Sequence, residues 1–147
     1  MNNKNHVLVT GGAGFIGSNI AIQLVKDGYQ VTVLDDLSTG YLKNLDTIKD
    51  KIKFIQGSIT DYDLLNKIMP GVDFVLHQAA LPSVPRSIDK PLDSHANNAT
   101  GIINILDAAR LNKVKRVVFA SSSAVYGDAK EKYKSEDLTT NPLSPYA

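Results

Sequence analysis

The sequence contains no cysteine, no block of like charge and no long apolar run. Without cysteine there is neither a disulfide framework nor a thiolate metal site, which fits a reducing compartment. Sixteen Lys and Arg against fifteen Asp and Glu leave a formal net charge of +1. With neither a basic patch nor an acidic tail, the chain lacks the electrostatic footprint of a nucleic-acid or membrane-surface binder. The first apolar run, in MNNKNHVLVTGG, is cut short by glycines before it reaches the length of a signal-peptide core or a membrane span. The expectation is a cytoplasmic protein with a small-molecule partner. What is present is 43% hydrophobic residues in a chain of 147, enough for one substantial core and a single domain over residues 1–147.

Short β-rich runs alternate with helix-like segments, the sequence form of βαβ units and of a parallel sheet in an α/β fold. Strands are predicted at 6–10, 30–35, 53–56, 73–77 and 116–121. Helices are predicted at 14–27, with Gly28 as a stop, at 61–69 before a Pro-Gly pair, and at 92–111. In the last, Ala96, Ala99, Ile103, Leu106 and Ala109 mark the expected buried face. Beyond Gly127 the polar, proline-bearing stretch DAKEKYKSEDLTTNPLSPYA carries neither period and is expected to be a long loop.

VLVTGGAGFIG places Gly11, Gly12, Gly14 and Gly17 at the turn from the first strand to the first helix. A pyrophosphate that approaches the bare amides of a helix N-terminus needs glycine there. Gly12, Gly14 and Gly17 satisfy one dinucleotide-binding spacing and Gly11, Gly14 and Gly17 another, so the closest approach belongs to either Gly11 or Gly12. Asp35 closes the second strand eighteen residues after Gly17, near the spacing of a carboxylate that accepts hydrogen bonds from an adenosine ribose diol. The same carboxylate beside a 2′-phosphate costs about 4 kcal/mol per charge pair at about 4 Å and an effective dielectric near 20. The cofactor expected is therefore NAD. The alternative is that Asp35 and Asp36 simply open a turn, which Asp36 suits in either case.

With TGGAGFIG, LDDLSTG, HQAA, NNATG, SSSAVYG and SPYA in order, the whole chain resembles the extended short-chain dehydrogenase/reductase family, and within it the NAD-dependent nucleotide-sugar epimerases. The resemblance implies a Rossmann-type doubly wound parallel sheet that ends before a C-terminal substrate-binding lobe. It implies cofactor contacts from Gly11, Gly14, Phe15, Ile16 and Gly17, from Asp35, Thr39 and Gly40, and from Gln78, Ala79 and Ala80 of HQAA. Asn98 matches a helix asparagine on the cofactor side, although a helix-surface asparagine is the plainer alternative. Ser58, beside Ile59, stands where an aspartate often reads the adenine, and Ile102 replaces a common threonine. His77, like His6 and His95, is expected to be structural, since no acid or cysteine is spaced to join it in a metal site.

The resemblance also places catalysis on Ser122, four residues before a structural Tyr126, and on Tyr146 as the tyrosine of a Y-x-x-x-K motif. A phenol titrates near 10, so a tyrosine base at pH 7 needs about 4 kcal/mol of help, which the family draws from the nicotinamide ring and the motif lysine. That lysine position lies past Ala147, so the chain by itself is expected to be inactive. Ser123 and Ala124 stand where dehydratases and decarboxylases carry carboxylates, and epimerisation needs none. HQAALPSVPRSIDKP looks most like epimerases of UDP-N-acetylhexosamines, with Ser83, Arg86, Ser122 and Ser123 near the sugar or its phosphates. Arg86 pairing a surface carboxylate is the alternative for that residue. UDP-glucuronate or UDP-glucose 4-epimerases are the rival substrate classes, and a non-catalytic NAD-binding module is the rival of another kind. The complete protein is expected to be a homodimer.

Overall fold

The computed structural model describes residues 4–147. Five strands, β1 (His6–Thr10), β2 (Gln30–Asp35), β3 (Ile52–Gln56), β4 (Phe74–His77) and β5 (Arg116–Phe119), form one sheet in the order β3-β2-β1-β4-β5. Every pairing is parallel. The chain steps outward from β1 to β3 and then returns to lay β4 against the other side of β1. At such a switch the connections leave the carboxyl ends of the two central strands in opposite directions, and a crevice opens between them.

Side-chain alternation in the central strands winds the sheet on both faces. Val7 and Val9 of β1 enter one apolar cluster with Val31 and Val33 of β2, while Leu8 and Leu34 enter the other with Val75 of β4. All of these are at most 2% exposed, so β1 and β2 read as near-continuous apolar runs, as strands covered on both sides do. The first cluster is closed by α1 (Phe15–Lys26), whose buried residues Gly17, Ser18 and Ala21 are small enough for close approach to the sheet. The second is closed by α2 (Tyr62–Ile68) and by a later helix through Leu65, Ile105 and Ala108. Asp61 caps α2 by accepting the Leu64 N–H at 2.9 Å, a contact worth about 1 kcal/mol. The His6 ring bridges Gly71 O at 3.2 Å and Thr32 Oγ1 at 2.8 Å. A carbonyl can only accept, so Nδ1 donates to Gly71 and Nε2 accepts from Thr32, which makes this histidine a tie across the lower edge of the sheet.

The region after β4 differs from the sequence expectation. Helix α3 (Val84–Asp89) precedes the expected helix, and that helix is α4 (Pro91–His95), one π turn (Ala96–Thr100) and α5 (Gly101–Leu111). The buried residues of α5 are Gly101, Ile105, Ala108 and Ala109, whereas Ile103 is 63% and Leu106 46% exposed. The expected face therefore holds only at Ala109. The buried side instead runs from Ser94 through half-buried Asn98 to Gly101, Ile105 and Ala108 at ordinary helical spacing, so small and polar residues share it and a search for an apolar repeat beginning at exposed Ala96 selects another face. After β5 and a 3-10 turn at Ser123–Tyr126, no further helix or strand occurs among the described residues. The loop that follows is closed on itself where the Asn141 N–H donates to Val125 O at 2.8 Å. No helix of the described residues is long and apolar enough to cross a membrane.

The observed face of α5 has a direct test. Ile105→Ala should cost about 2–5 kcal/mol in urea unfolding, and Ile103→Ala less than about 0.5 kcal/mol; equal costs would contradict the observed face.

Candidate functional site

The crevice above β1 and β4 is shaped by the glycine turn. Gly11 takes φ +64°, and a Cβ there would lie 2.6 Å from Ala79 N, so any other residue would force the turn and the end of β4 apart. Gly12 faces the core instead, where a Cβ would lie 2.6 Å from Val33 Cγ1. Of the two glycines left open by sequence, Gly11 borders the crevice and Gly12 packs beneath it. Gly17 lets α1 sit on the turn, since a Cβ there would strike Gly11 O and come within 2.7 Å of Gly12 Cα. The N-cap of α1 is Gly14, which supplies no side-chain cap. The first amides of the helix are thus available to an anion in the field of the helix dipole.

A cleft of about 410 Å³ runs along this turn. Gly11, Gly14, Phe15, Ile16 and Gly17 border it on one side, Asp35 and Thr39 after β2 on the next, and Ser58 and Ile59 after β3 beyond them. Gln78, Ala79 and Ala80 close it from β4, with Ser121 and Tyr146 at the far end. Asp35 is buried at 7% exposure. Its Oδ2 accepts the Ala13 N–H at 2.9 Å and its Oδ1 the Leu37 N–H at 2.8 Å. Each oxygen keeps a second lone pair, so the carboxylate is held in one orientation with acceptor capacity left for a pair of hydroxyls. Asp36 is exposed and accepts the Ser38 N–H at 2.9 Å, as its turn-opening reading anticipates. Ser58 Oγ lies 2.8 Å from Thr60 Oγ1 and accepts the Thr60 N–H at 3.2 Å, so a local turn shares its hydroxyl.

Two expected cofactor residues sit elsewhere. Gly40 does not border the cleft; it is buried behind it, where a Cβ would lie 2.9 Å from Ala13 C and 3.0 Å from Asp35 Oδ1. Asn98 borders a neighbouring cavity, and its amide is spent on the chain: Oδ1 accepts the Leu81 N–H at 2.8 Å and Nδ2 donates to Leu81 O at 3.2 Å. Asn97 borders the main cleft in its place.

The neighbouring cavity, of about 180 Å³, brings Ser122 and Tyr146 together with His77, Asn98, Ile102 and Phe119. Ser122 Oγ accepts the Ala124 N–H at 3.2 Å, which leaves its own O–H free to donate. Tyr146 and Ser121 border both cavities. Ser83, Arg86 and Ser123 border neither. The Ser83 hydroxyl caps α3 by accepting the Arg86 N–H at 3.3 Å, and Arg86 joins no ion pair among the described residues.

At the border of the smaller cavity His77 Nδ1 lies 2.6 Å from Thr10 Oγ1, which also accepts the Ala79 N–H at 3.3 Å. Burial pushes the His77 imidazole down to about 4, because a charge there would lose its water. His77 is therefore a neutral strut that sets, through Thr10, where Ala79 lies. Asn97 and Ser121 are among the cavity-bordering polar residues that sequence reasoning missed, and Thr10 supports the site from below the end of β4 through Ala79. A serine run does not tell which hydroxyl faces a cavity, and Thr10 reads only as a strand residue.

Residues 7–147 match the NAD dependent epimerase/dehydratase family. A UDP-glucose 4-epimerase of Lactobacillus helveticus is 47% identical over 142 residues, which cover 95% of this chain and 42% of that protein. The solved UDP-N-acetylglucosamine 4-epimerase from Methanobrevibacter ruminantium M1, in complex with UDP-N-acetylmuramic acid, superposes with a TM-score of 0.90 at 41% identity, over 99% of this chain and 46% of that one. The UDP-glucose 4-epimerase from Brucella ovis in complex with NAD gives a TM-score of 0.88 at 38% identity, over 97% of this chain and 43% of that one. The chain spans a little under half the length of these relatives.

The buried histidine makes stability depend on pH in a defined direction. The unfolded chain takes up the proton near 6.5 and the folded one near 4, so this contribution is intact above about pH 7 and is lost as pH falls from 6.5 towards 4. Between pH 7.5 and pH 5 the wild type should lose about 2 kcal/mol more than His77→Gln in urea unfolding; parallel losses would show that His77 titrates normally.

Proposed function

The chain belongs to the NAD dependent epimerase/dehydratase family, and from that premise we propose that residues 1–147 are the NAD-binding domain of a UDP-sugar 4-epimerase. The observation that carries this reading is the position of Tyr146, which borders the glycine-turn cleft and, with Ser122, the smaller cavity. A ring bound between the two cavities meets a phenol and a serine hydroxyl beside the place for a dinucleotide.

The larger cleft suits NAD by the chemistry of its lining. The first-turn amides of α1 match a diphosphate, and the spare lone pairs on Asp35 match a ribose diol. At Gly14 a Cβ would have only Gly11 O, at 3.2 Å, within 4 Å, so a side chain there would take up cleft space. The Asp35 carboxylate disfavours the 2′-phosphate of NADP by like-charge repulsion. When bound, NAD would supply reversible hydride chemistry at the sugar C4. Tyr146 takes the proton of the 4-hydroxyl and Ser122 donates a hydrogen bond to the same oxygen. Ser123 and Ala124 offer no carboxylate for elimination or decarboxylation, whereas epimerisation needs none.

The substrate pair we propose is UDP-N-acetylglucosamine and its galacto epimer, supported by HQAALPSVPRSIDKP and by likeness to the Methanobrevibacter enzyme. UDP-glucose is the second reading, favoured by the identity to the Lactobacillus helveticus enzyme. Residues 1–147 alone are inactive in this proposal, because sugar-binding groups and the motif lysine come from the further length its relatives have. For a protein of the relatives' full length the proposal includes a homodimer.

Calorimetric titration of the chain should give heat with NAD and at least tenfold weaker binding of NADP; absence of binding to NAD would end the proposal. In a protein of the relatives' full length carrying these residues, Tyr146→Phe should lower kcat by about 10²–10⁴ with NAD affinity changed less than threefold. A higher kcat/KM on UDP-glucose than on UDP-N-acetylglucosamine would move the assignment to the second reading.

A further inference from the structure

Within the glycine turn, one peptide plane is held from three sides. It is the peptide that joins Ala13 to Gly14, the N-cap of α1. Its carbonyl, Ala13 O, accepts from Asn44 Nδ2 at 2.8 Å and from the Tyr41 N–H at 3.0 Å. Its N–H, on Gly14, donates to Gly11 O at 3.2 Å. The preceding amide, Ala13 N–H, goes to Asp35 Oδ2 at 2.9 Å. A carbonyl can only be met by a donor, so the end of the Asn44 side chain that faces Ala13 is its NH₂. Asn44 is half-buried and belongs to the 3-10 turn Leu42–Leu45, which buried Leu45 anchors in the core beside α1. Asn44 borders neither cavity.

The orientation of this peptide matters for an anion. The carbonyl is taken up by Asn44 and Tyr41, and neither these residues nor Ala13 borders either cavity. Rotated forward, the same carbonyl would set a partial negative charge beside the amides that a diphosphate must use. Glycine at position 14 makes that rotation sterically cheap, so something other than side-chain bulk must oppose it. Gly14 is an uncapped N-cap, and the helix end adds no side-chain restraint of its own.

We infer that Asn44 is a positioning residue for diphosphate binding: its side-chain amide holds the Ala13–Gly14 peptide with the carbonyl away from the cleft. This rests on the dinucleotide reading of the cleft and adds to it a residue that never touches the ligand. The adenosine end of the site, at Asp35 and Ser58, lies outside its direct reach except through the shared Ala13 peptide.

The test uses the whole chain, titrated with NAD, ADP and adenosine. Asn44→Asp keeps the shape and puts an acceptor against Ala13 O, while Asn44→Ala removes the group. Asn44→His restores a nitrogen donor at the corresponding position. Removing one hydrogen bond of ordinary strength is worth up to about a tenfold change in an equilibrium constant. NAD and ADP should therefore bind about tenfold more weakly to the Asp and Ala variants, with adenosine within twofold of wild type and the His variant recovering at least half of the loss on a logarithmic scale. Circular dichroism and melting temperature identify a variant that fails to fold, and the remaining variants then carry the comparison. Unchanged ADP affinity in the folded variants would overturn the inference while leaving the cofactor assignment standing. An equal loss for adenosine would also overturn it, since that is what a general loosening of the site produces. A wild-type chain that binds none of the three would overturn the assignment on which it depends.

Discussion

The close approach of the turn after β1 to the backbone after β4 is the contact on which the rest of this structure depends. A Cβ on Gly11 would lie 2.6 Å from Ala79 N, so the two central strands can end side by side only because that residue has no side chain. The pairing of β1 with β4 is also where the strand order changes direction. One constraint therefore joins topology to site: without the glycine the strands diverge, and where they converge the chain leaves a crevice instead of a packed seam.

Around that contact, polar atoms are fixed by the chain before any ligand arrives. Asp35 has both oxygens on backbone amides, Thr10 links His77 to the Ala79 N–H, and Asn98 takes both polar atoms of Leu81. A group already oriented by its own fold loses little entropy on binding, whereas a loose one must be ordered at the ligand's expense. No buried side-chain nitrogen or oxygen lacks a partner among the described residues. The polar groups of the site are thus tied to the fold, and the spare capacity points to a few positions: the first amides of α1, the second lone pairs of Asp35 and the O–H of Ser122.

Much of this was legible in advance, and the exceptions share a cause. The strands begin or end within two residues of their expected limits because alternation and β-branching persist along each one. Gly28 and the Pro-Gly pair stop the first two helices where expected. The face of α5 was misplaced because Ser94 and Gly101, which no apolar pattern selects, share the buried side with Ile105 and Ala108, and α3 was missed because SVPRSID has too few residues to express a period. Of the residues named from motifs, Gly11, Gly14, Gly17, Asp35, Gln78 to Ala80, Ser122 and Tyr146 border one or both cavities. Gly40 and Asn98 belong to the same motifs but turn to the protein instead of the cleft, and a motif records proximity in sequence without recording direction.

The sequence by itself determined that a parallel α/β sheet forms, that a glycine turn meets a helix N-terminus, and that a carboxylate follows at the end of the second strand. These rest on local periodicity and on backbone conformations that only certain residues adopt, and both are properties of short stretches of chain. Only the tertiary structure decided which glycine borders the cleft, that His77 is buried and neutral, that Asn44 stands behind Ala13, and that Ser122 and Tyr146 share a cavity. Each of those depends on atoms brought together from segments tens of residues apart. Which side chain meets which is set by the packing of whole elements against one another, and no local pattern carries that information.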